Sequence, residues 1–147
     1  MNARDIMTPD PTVVLPSDSI AMAAQTMRSR SVGMLPVVDA AATMRLVGVI
    51  TDRDITTRCV AELHGPTCLV AAHMTTVRLQ TVFPEDTIDA VARKMEFARV
   101  RRVPVVEPGN RLIGVIAQAD LARKTKPRDW KLVEEVLAAI SAPAVPG

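Results

Sequence analysis

The stretch Gly48-Val49-Ile50-Thr51-Asp52-Arg53-Asp54 decides how this chain is read, because it returns as Gly114-Val115-Ile116-Ala117-Gln118-Ala119-Asp120. The first copy reads as the end of a buried apolar strand, Leu46 to Ile50, running into a helix start. Thr51 stands where an N-cap belongs and Asp54 follows at capping-box spacing. The second copy keeps the glycine, two β-branched residues and the aspartate, but alanine replaces the threonine.

Working outward, the echo extends along the chain at a near-constant offset. Asp5-Ile6-Met7-Thr8 is matched by Ala72-His73-Met74-Thr75, Val14-Leu15-Pro16-Ser17-Asp18 by Val82-Phe83-Pro84-Glu85-Asp86, and Leu35-Pro36-Val37-Val38-Asp39 by Val103-Pro104-Val105-Val106-Glu107. Such self-similarity is a duplication. Each unit has the same grammar. A short β-prone run (Thr12 to Leu15; Leu79 to Phe83) ends at a proline, which fits poorly in a continuing strand. A cap candidate follows, Ser19 or Thr87. Apolar residues then recur at helical spacing, Ile20, Ala23, Ala24 and Met27 in one unit, Ile88, Val91, Ala92 and Met95 in the other. A strand carrying Pro-Val-Val, a turn, a second strand (Leu46 to Ile50; Leu112 to Ile116) and a closing helix complete the order β-α-β-β-α. The turn at Glu107-Pro108-Gly109-Asn110 has strong turn chemistry. After the second unit, Asp129 is placed to cap a last helix with Trp130, Val133, Leu137 and Ile140 on one face, a packing or dimer-contact surface, and Ser141 to Gly147 reads as a frayed tail.

The chain has 147 residues, 48% of them apolar, enough to bury a core and too many for a disordered chain. A net charge of +2 leaves no footprint of a nucleic-acid binder, and Phe83, Phe97 and Trp130 are too few aromatics for base stacking. No apolar run is long enough for a bilayer and no signal-peptide pattern opens the chain, so a cytoplasmic protein is expected, with neither membrane nor nucleic acid as partner. Two cysteines do not make a disulfide framework. No nucleophile-and-base pair, P-loop or H-E-x-x-H motif is present, so an enzyme is not expected.

The residues Asp5-Ile-Met-Thr, Leu35-Pro-Val-Val-Asp and Leu46-Val-Gly-Val-Ile-Thr-Asp-Arg-Asp, with their second-unit counterparts, resemble a tandem pair of cystathionine β-synthase (CBS) domains, often called a Bateman module. The resemblance covers the chain to about Lys124. It implies an α/β (α+β) fold of two β-α-β-β-α CBS repeats packed sheet to sheet with pseudo-twofold symmetry, here followed by a C-terminal helix. The expected boundaries are 1–62 for the first CBS domain, 63–73 for a connector, 74–124 for the second, and 125–147 for the helix and tail. The resemblance further implies clefts for an adenosyl ligand such as AMP, ADP or ATP, held as a ligand rather than a cofactor, in a regulatory protein that forms a homodimer. The alternative is a ligand-free dimerisation scaffold.

Carried onto this chain, the family pattern gives Thr51 the ligand's phosphate or ribose and gives Asp54 the ribose hydroxyls, with Asp120 as its counterpart. A carboxylate is acceptor-only, which suits a pair of hydroxyl donors. Arg102, standing where the first unit has Met34, is the candidate phosphate donor beside the degenerate Ala117, and Arg53, Arg99 and Arg101 are further donors. The adenine slots fall to Thr12, Val13, Met34, Pro36 and Ile50 in one repeat and to Val82, Pro104 and Ile116 in the other, with backbone from Gln80 onward. Against this stands the plain reading of Thr51 and Asp54 as an ordinary capping box, worth about 1 kcal/mol, of the arginines as solvated surface, and of the apolar residues as core. Cys59, His64, Cys68 and His73 hold every cysteine and histidine of the chain. A tetrahedral zinc site is the alternative for them, but they lack the paired C-x₂₋₄-C and H-x₃₋₅-H spacing, so no metal is expected, and no cofactor is expected beside the adenosyl ligand.

Overall fold

The computed structural model describes residues 1–124 and 130–141. In chain order the elements are α1 (Ala3–Ile6), β1 (Thr8–Pro9), α2 (Ile20–Arg30), β2 (Met34–Val38), β3 (Leu46–Thr51), α3 (Asp52–Asp54), a π-helix (Ile55–Val60), a 3₁₀ turn (Val70–Ala72), α4 (Ile88–Ala98), β4 (Arg102–Glu107), β5 (Arg111–Ala117), α5 (Gln118–Lys124) and α6 (Trp130–Ser141). Helices and two small sheets, β2-β3 and β1-β5-β4, make a mixed α/β chain of the expected class.

The repeat seen in the sequence governs local structure down to single hydrogen bonds. Asp18 accepts from the Leu15 N–H and Asp86 from the Phe83 N–H, each at 2.8 Å, closing the turn after each proline-ended run. Ser19 Oγ accepts from the Met22 N–H and Thr87 Oγ1 from the Ala90 N–H, each at 3.1 Å, so both expected N-caps form. Both helices end on a left-handed residue, Ser31 at φ 54° and Arg99 at φ 53°. The apolar stripe of α4 is buried in full (Ile88, Val91, Ala92, Met95), whereas α2 buries Ile20, Ala23 and Met27 and leaves Ala24 exposed. The expected strands at Thr12 to Leu15 and Leu79 to Phe83 shrink to single parallel bridges, Val14 to Val37 and Val82 to Val105. Pro16 and Pro84 follow these residues too closely for a longer ladder.

Two compact units interleave along the chain. One comprises Pro11–Leu79 and Gly109–Leu112 and is called here the Thr51 unit; the other comprises Met1–Asp10, Gln80–Pro108 and Ile113–Gly147 and is called the Asp120 unit. The compact units are not continuous in sequence, because the segment that leads into the first repeat, Met1–Asp10, belongs with the second. In the Asp120 unit, β1 pairs antiparallel with β5 through Thr8–Val115 and Pro9–Gly114. In the Thr51 unit, the corresponding Thr75 bridges Val49 on β3.

This pairing explains the repeated glycines. A Cβ on Gly48 would stand 2.8 Å from the Thr75 carbonyl oxygen, and one on Gly114 would stand 3.0 Å from the Thr8 carbonyl and 2.5 Å from Met7 Sδ. Glycine is the residue that lets another backbone approach so closely.

The core of the Thr51 unit gathers Val14, Ile20, Ala23, Met27, Leu35, Val37, Ile50, Cys59 and Val70. That of the Asp120 unit gathers the α4 stripe with Ile6, Val82, Val103, Val105, Ile116, Leu121 and Val136. Leu137 and Ile140 pack against this second core, and α6 lies on α4 and α5. The face of the last helix is therefore spent, over these residues, inside its own unit. The expected cap Asp129, the tail after Ser141, and the side chains of Trp130 and Val133 lie outside what is described. Among the described residues, no helix is long and apolar enough to cross a membrane.

Candidate functional site

The strand-to-helix junction at the end of β3 carries the first candidate site. Thr51 stops the strand in extended backbone, and its Oγ1 accepts from the Asp54 N–H at 3.0 Å. Asp54 Oδ2 accepts in return from the Thr51 N–H at 3.0 Å, so the capping box is complete. Asp54 is only 8% exposed, and two further groups face it. The Thr75 hydroxyl donates to both carboxylate oxygens at 3.3 Å, and Arg58 Nε lies 3.6 Å from Oδ1. Arg58 comes from the next turn of the chain; Thr75 comes from the segment paired along β3. A buried carboxylate with a cation and a hydroxyl beside it is held in one orientation with its charge compensated.

The equivalent junction at the end of β5 is built on the same contact. Asp120 Oδ2 accepts from the Ala117 N–H at 2.8 Å, and Asp120 is 4% exposed. Arg123 Nη2 lies 3.3 Å from its Oδ1. Ala117 contributes no side-chain cap, as its sequence requires, but the aspartate keeps its half of the box.

The remaining candidates divide by burial. In the Thr51 unit, Thr12, Val13 and Met34 are half-buried and Met34 lies opposite Thr51 in the β2-β3 ladder. Pro36 is buried, and its carbonyl accepts from the Val14 N–H at 3.1 Å. Pro104 is buried likewise, its carbonyl accepting from the Val82 N–H at 3.0 Å. Ile50, Ile116 and Val82 are at most 1% exposed and belong to the cores. Their side chains are packing residues, so any ligand contact at these positions falls to their backbone. Arg53, Arg99 and Arg101 are exposed, and Arg102 is half-buried at the start of β4. None of these arginines is among the ion pairs at the two aspartates. Sequence reasoning missed Arg58, Arg123 and Thr75. The first two carry a readable signal, an arginine one helical turn after each aspartate. Thr75 carries none, because its contact depends on which strand its segment joins.

Close to this junction the connector is pinned rather than loose. Cys68 O accepts from the Ile20 N–H at 2.8 Å and Pro66 O from the Ala21 N–H at 3.0 Å, which holds the connector against the start of α2. Cys59 is buried, its thiol facing the carbonyls of His64 and Gly65 at 3.6 and 3.7 Å. Burial pushes the Cys59 thiol up, and Cys68 nearby adds to the shift.

Comparison with known proteins agrees with this architecture. The CBS domain family profile matches residues 3–61 and again 70–126. The chain is 36% identical over 121 residues to Hypoxic response protein 1 of Mycobacterium tuberculosis, covering 82% of each chain. The crystal structure of Hypoxic Response Protein I with two coordinated zinc ions superposes with a TM-score of 0.77 at 34% identity, over 86% of this chain and all of that one. CBSX2 in complex with AMP matches at a TM-score of 0.70 and 28% identity, over 84% of this chain and 94% of that one. The CBS domain pair of MJ0100, in complex with 5'-methylthioadenosine and S-adenosyl-L-methionine, matches at 0.73 and 28% over the same shares. With its two matched segments, its duplicated strand-to-helix junctions and its two small sheets, the chain belongs to the CBS domain family and carries a tandem pair of CBS domains.

Proposed function

We propose that this chain is a regulatory module, without catalytic activity of its own, that binds an adenosyl ligand such as AMP, ADP or ATP at the Thr51–Asp54 junction. The observation that carries the reading is Asp54: a nearly buried carboxylate, oriented by Thr51, Thr75 and Arg58, at the end of a strand. A fixed acceptor-only group of this kind suits the paired hydroxyls of a ribose, and Arg58 beside it is a cation available to a phosphate. The adenosyl ligands of CBSX2 and of the MJ0100 pair support the ligand class. Arg53 at the same junction, and Asp120 with Arg102 in the Asp120 unit, are the secondary contacts of the proposal.

A thermal-shift panel of AMP, ADP, ATP, S-adenosylmethionine and NAD tests it, followed by affinities for Asp54→Ala and Asp54→Asn. Loss of a ribose acceptor leaves hydroxyls unsatisfied at about 1–3 kcal/mol each, so Asp54→Ala should weaken binding about tenfold or more. Asp54→Asn keeps one carbonyl for the Thr51 N–H and should spare the melting temperature more than the affinity. Unchanged affinity in both variants with a lowered melting temperature would leave Asp54 as a helix cap and favour the ligand-free scaffold. The homodimer also belongs to this proposal. With Leu137 and Ile140 packed inside the Asp120 unit, it rests on exposed apolar side chains of α2 and α4, Met22 and Phe97. A monomeric mass by light scattering at micromolar concentration would remove it.

A further inference from the structure

The geometry assigns a transition-metal site to the connector of the Thr51 unit, with His64, Cys68 and His73 as ligands and zinc as the ion they suit. One ligand atom from each lies within 4.8 Å of the others. Around a tetrahedral zinc with bonds of about 2.0–2.3 Å, neighbouring ligand atoms stand roughly 3.3–3.7 Å apart. Small side-chain rotations cover that difference.

His73 supplies the second, independent observation. It is 3% exposed, and among the described residues its buried Nε2 has no hydrogen-bond partner. Such an orphaned buried atom is destabilising and calls for a group that satisfies it. The His64 ring lies 5.1 Å from the His73 ring at 47°, adjacent but not stacked. His64 is exposed and Cys68 half-buried, so the cluster opens to solvent on one side and an ion has a way in.

The backbone beneath is already set. The His64 N–H donates to Cys59 O at 2.9 Å, the Cys68 N–H to Gly65 O at 3.1 Å, and the His73 N–H to Val70 O at 3.0 Å. This is why the linear spacing misleads: the ligands come together through the turn at Gly65, the contact of Cys68 with α2 and the 3₁₀ turn before His73. Cys59 stays outside the set, a buried thiol occupied with two carbonyls, which leaves the fourth position to water. Two imidazoles and one thiolate favour zinc over magnesium or calcium, which take oxygen ligands.

The test strips the full chain with a chelator and titrates it with Zn(II) against a competing dye, then with Co(II) followed by absorption. The expected result is one ion per chain, a thiolate-to-cobalt charge-transfer band and the intense d–d bands of a four-coordinate ion. Cys68→Ser should remove the charge-transfer band, and Cys59→Ser should leave it. His64→Gln, an exposed change that spares the fold where His73→Ala would disturb the core, should lower zinc affinity by about tenfold or more. Failure to take up one equivalent, a charge-transfer band that survives Cys68→Ser or is lost in Cys59→Ser, or unchanged affinity in a folded His64→Gln each overturns the assignment.

Discussion

Thr51 and Ala117 occupy the same step of the two repeats, and the helix starts after them are held by different numbers of capping contacts. At Thr51 the box closes both ways, through Thr51 Oγ1 and Asp54 Oδ2. At Ala117 the carboxylate of Asp120 holds the backbone N–H from one side. Yet the fuller box opens the shorter α-helix: α3 runs only from Asp52 to Asp54 before the π-helix, whereas α5 runs from Gln118 to Lys124. Capping therefore decides where these helices begin and not how far they continue. Both continue over a buried residue: Leu121 of α5 sits fully in one core, and Cys59, on the π-helix that follows α3 directly, sits in the other before the chain enters the connector. The common element of the two junctions is the aspartate.

The largest way to break the comparison lies in the glycines. Gly48→Ala puts a Cβ 2.8 Å from a backbone oxygen that cannot swing aside, whereas the nearest atom at Gly114 is the flexible end of Met7. Gly48→Ala should cost about 2–3 kcal/mol and Gly114→Ala about 1 kcal/mol less, read by urea denaturation. Equal losses would mean that Met7, or the Thr8 carbonyl oxygen 3.0 Å from the added Cβ, yields no more than the Thr75 backbone does. Next come the aspartates. Asp54→Ala and Asp120→Ala each strand a backbone N–H, and each should cost about 1–2 kcal/mol in the same assay. A large loss at Asp54 alone would make Thr75 and Arg58, rather than the cap, the main reason for that residue.

In calorimetry with an adenosyl ligand, the Thr51 site should bind about tenfold more tightly than the Asp120 site, the worth of one extra hydroxyl contact. Two equal, independent sites would erase the ranking. The smallest effect is the exchange of the differing residue itself. Thr51→Ala should lower stability by about 1 kcal/mol, and Ala117→Thr should add up to as much by completing the second box. A neutral Ala117→Thr would show that the Asp120 junction already satisfies its helix start.

Much of the site was legible because it is local. Ser19, Thr87, Thr51 and Asp54 make their hydrogen bonds to residues three positions away, so the cap grammar of the sequence names donor and acceptor directly. Ile50, Val82 and Ile116 read equally well as pocket or as core, since apolarity does not say which side of a strand a ligand approaches. Their full burial assigns the side chains to the cores. Ala24, apolar and in phase with its stripe, is exposed nonetheless, because period alone does not give the width of the surface a helix meets.

By itself, then, the sequence determined the duplication, the capped helices α2 and α4 and the strands that follow them, and the loss of the threonine at Ala117. All of these follow from period and from hydrogen bonds that close within one turn of chain. Tertiary structure alone decided that Thr8 pairs with Val115 and Thr75 with Val49, that a hydroxyl from Thr75 reaches Asp54, and that His64, Cys68 and His73 converge. Those contacts are selected by which strand edge is open and which turn brings the chain back. They are settled by the burial and backbone pairing of the whole unit, which no short window of residues encodes.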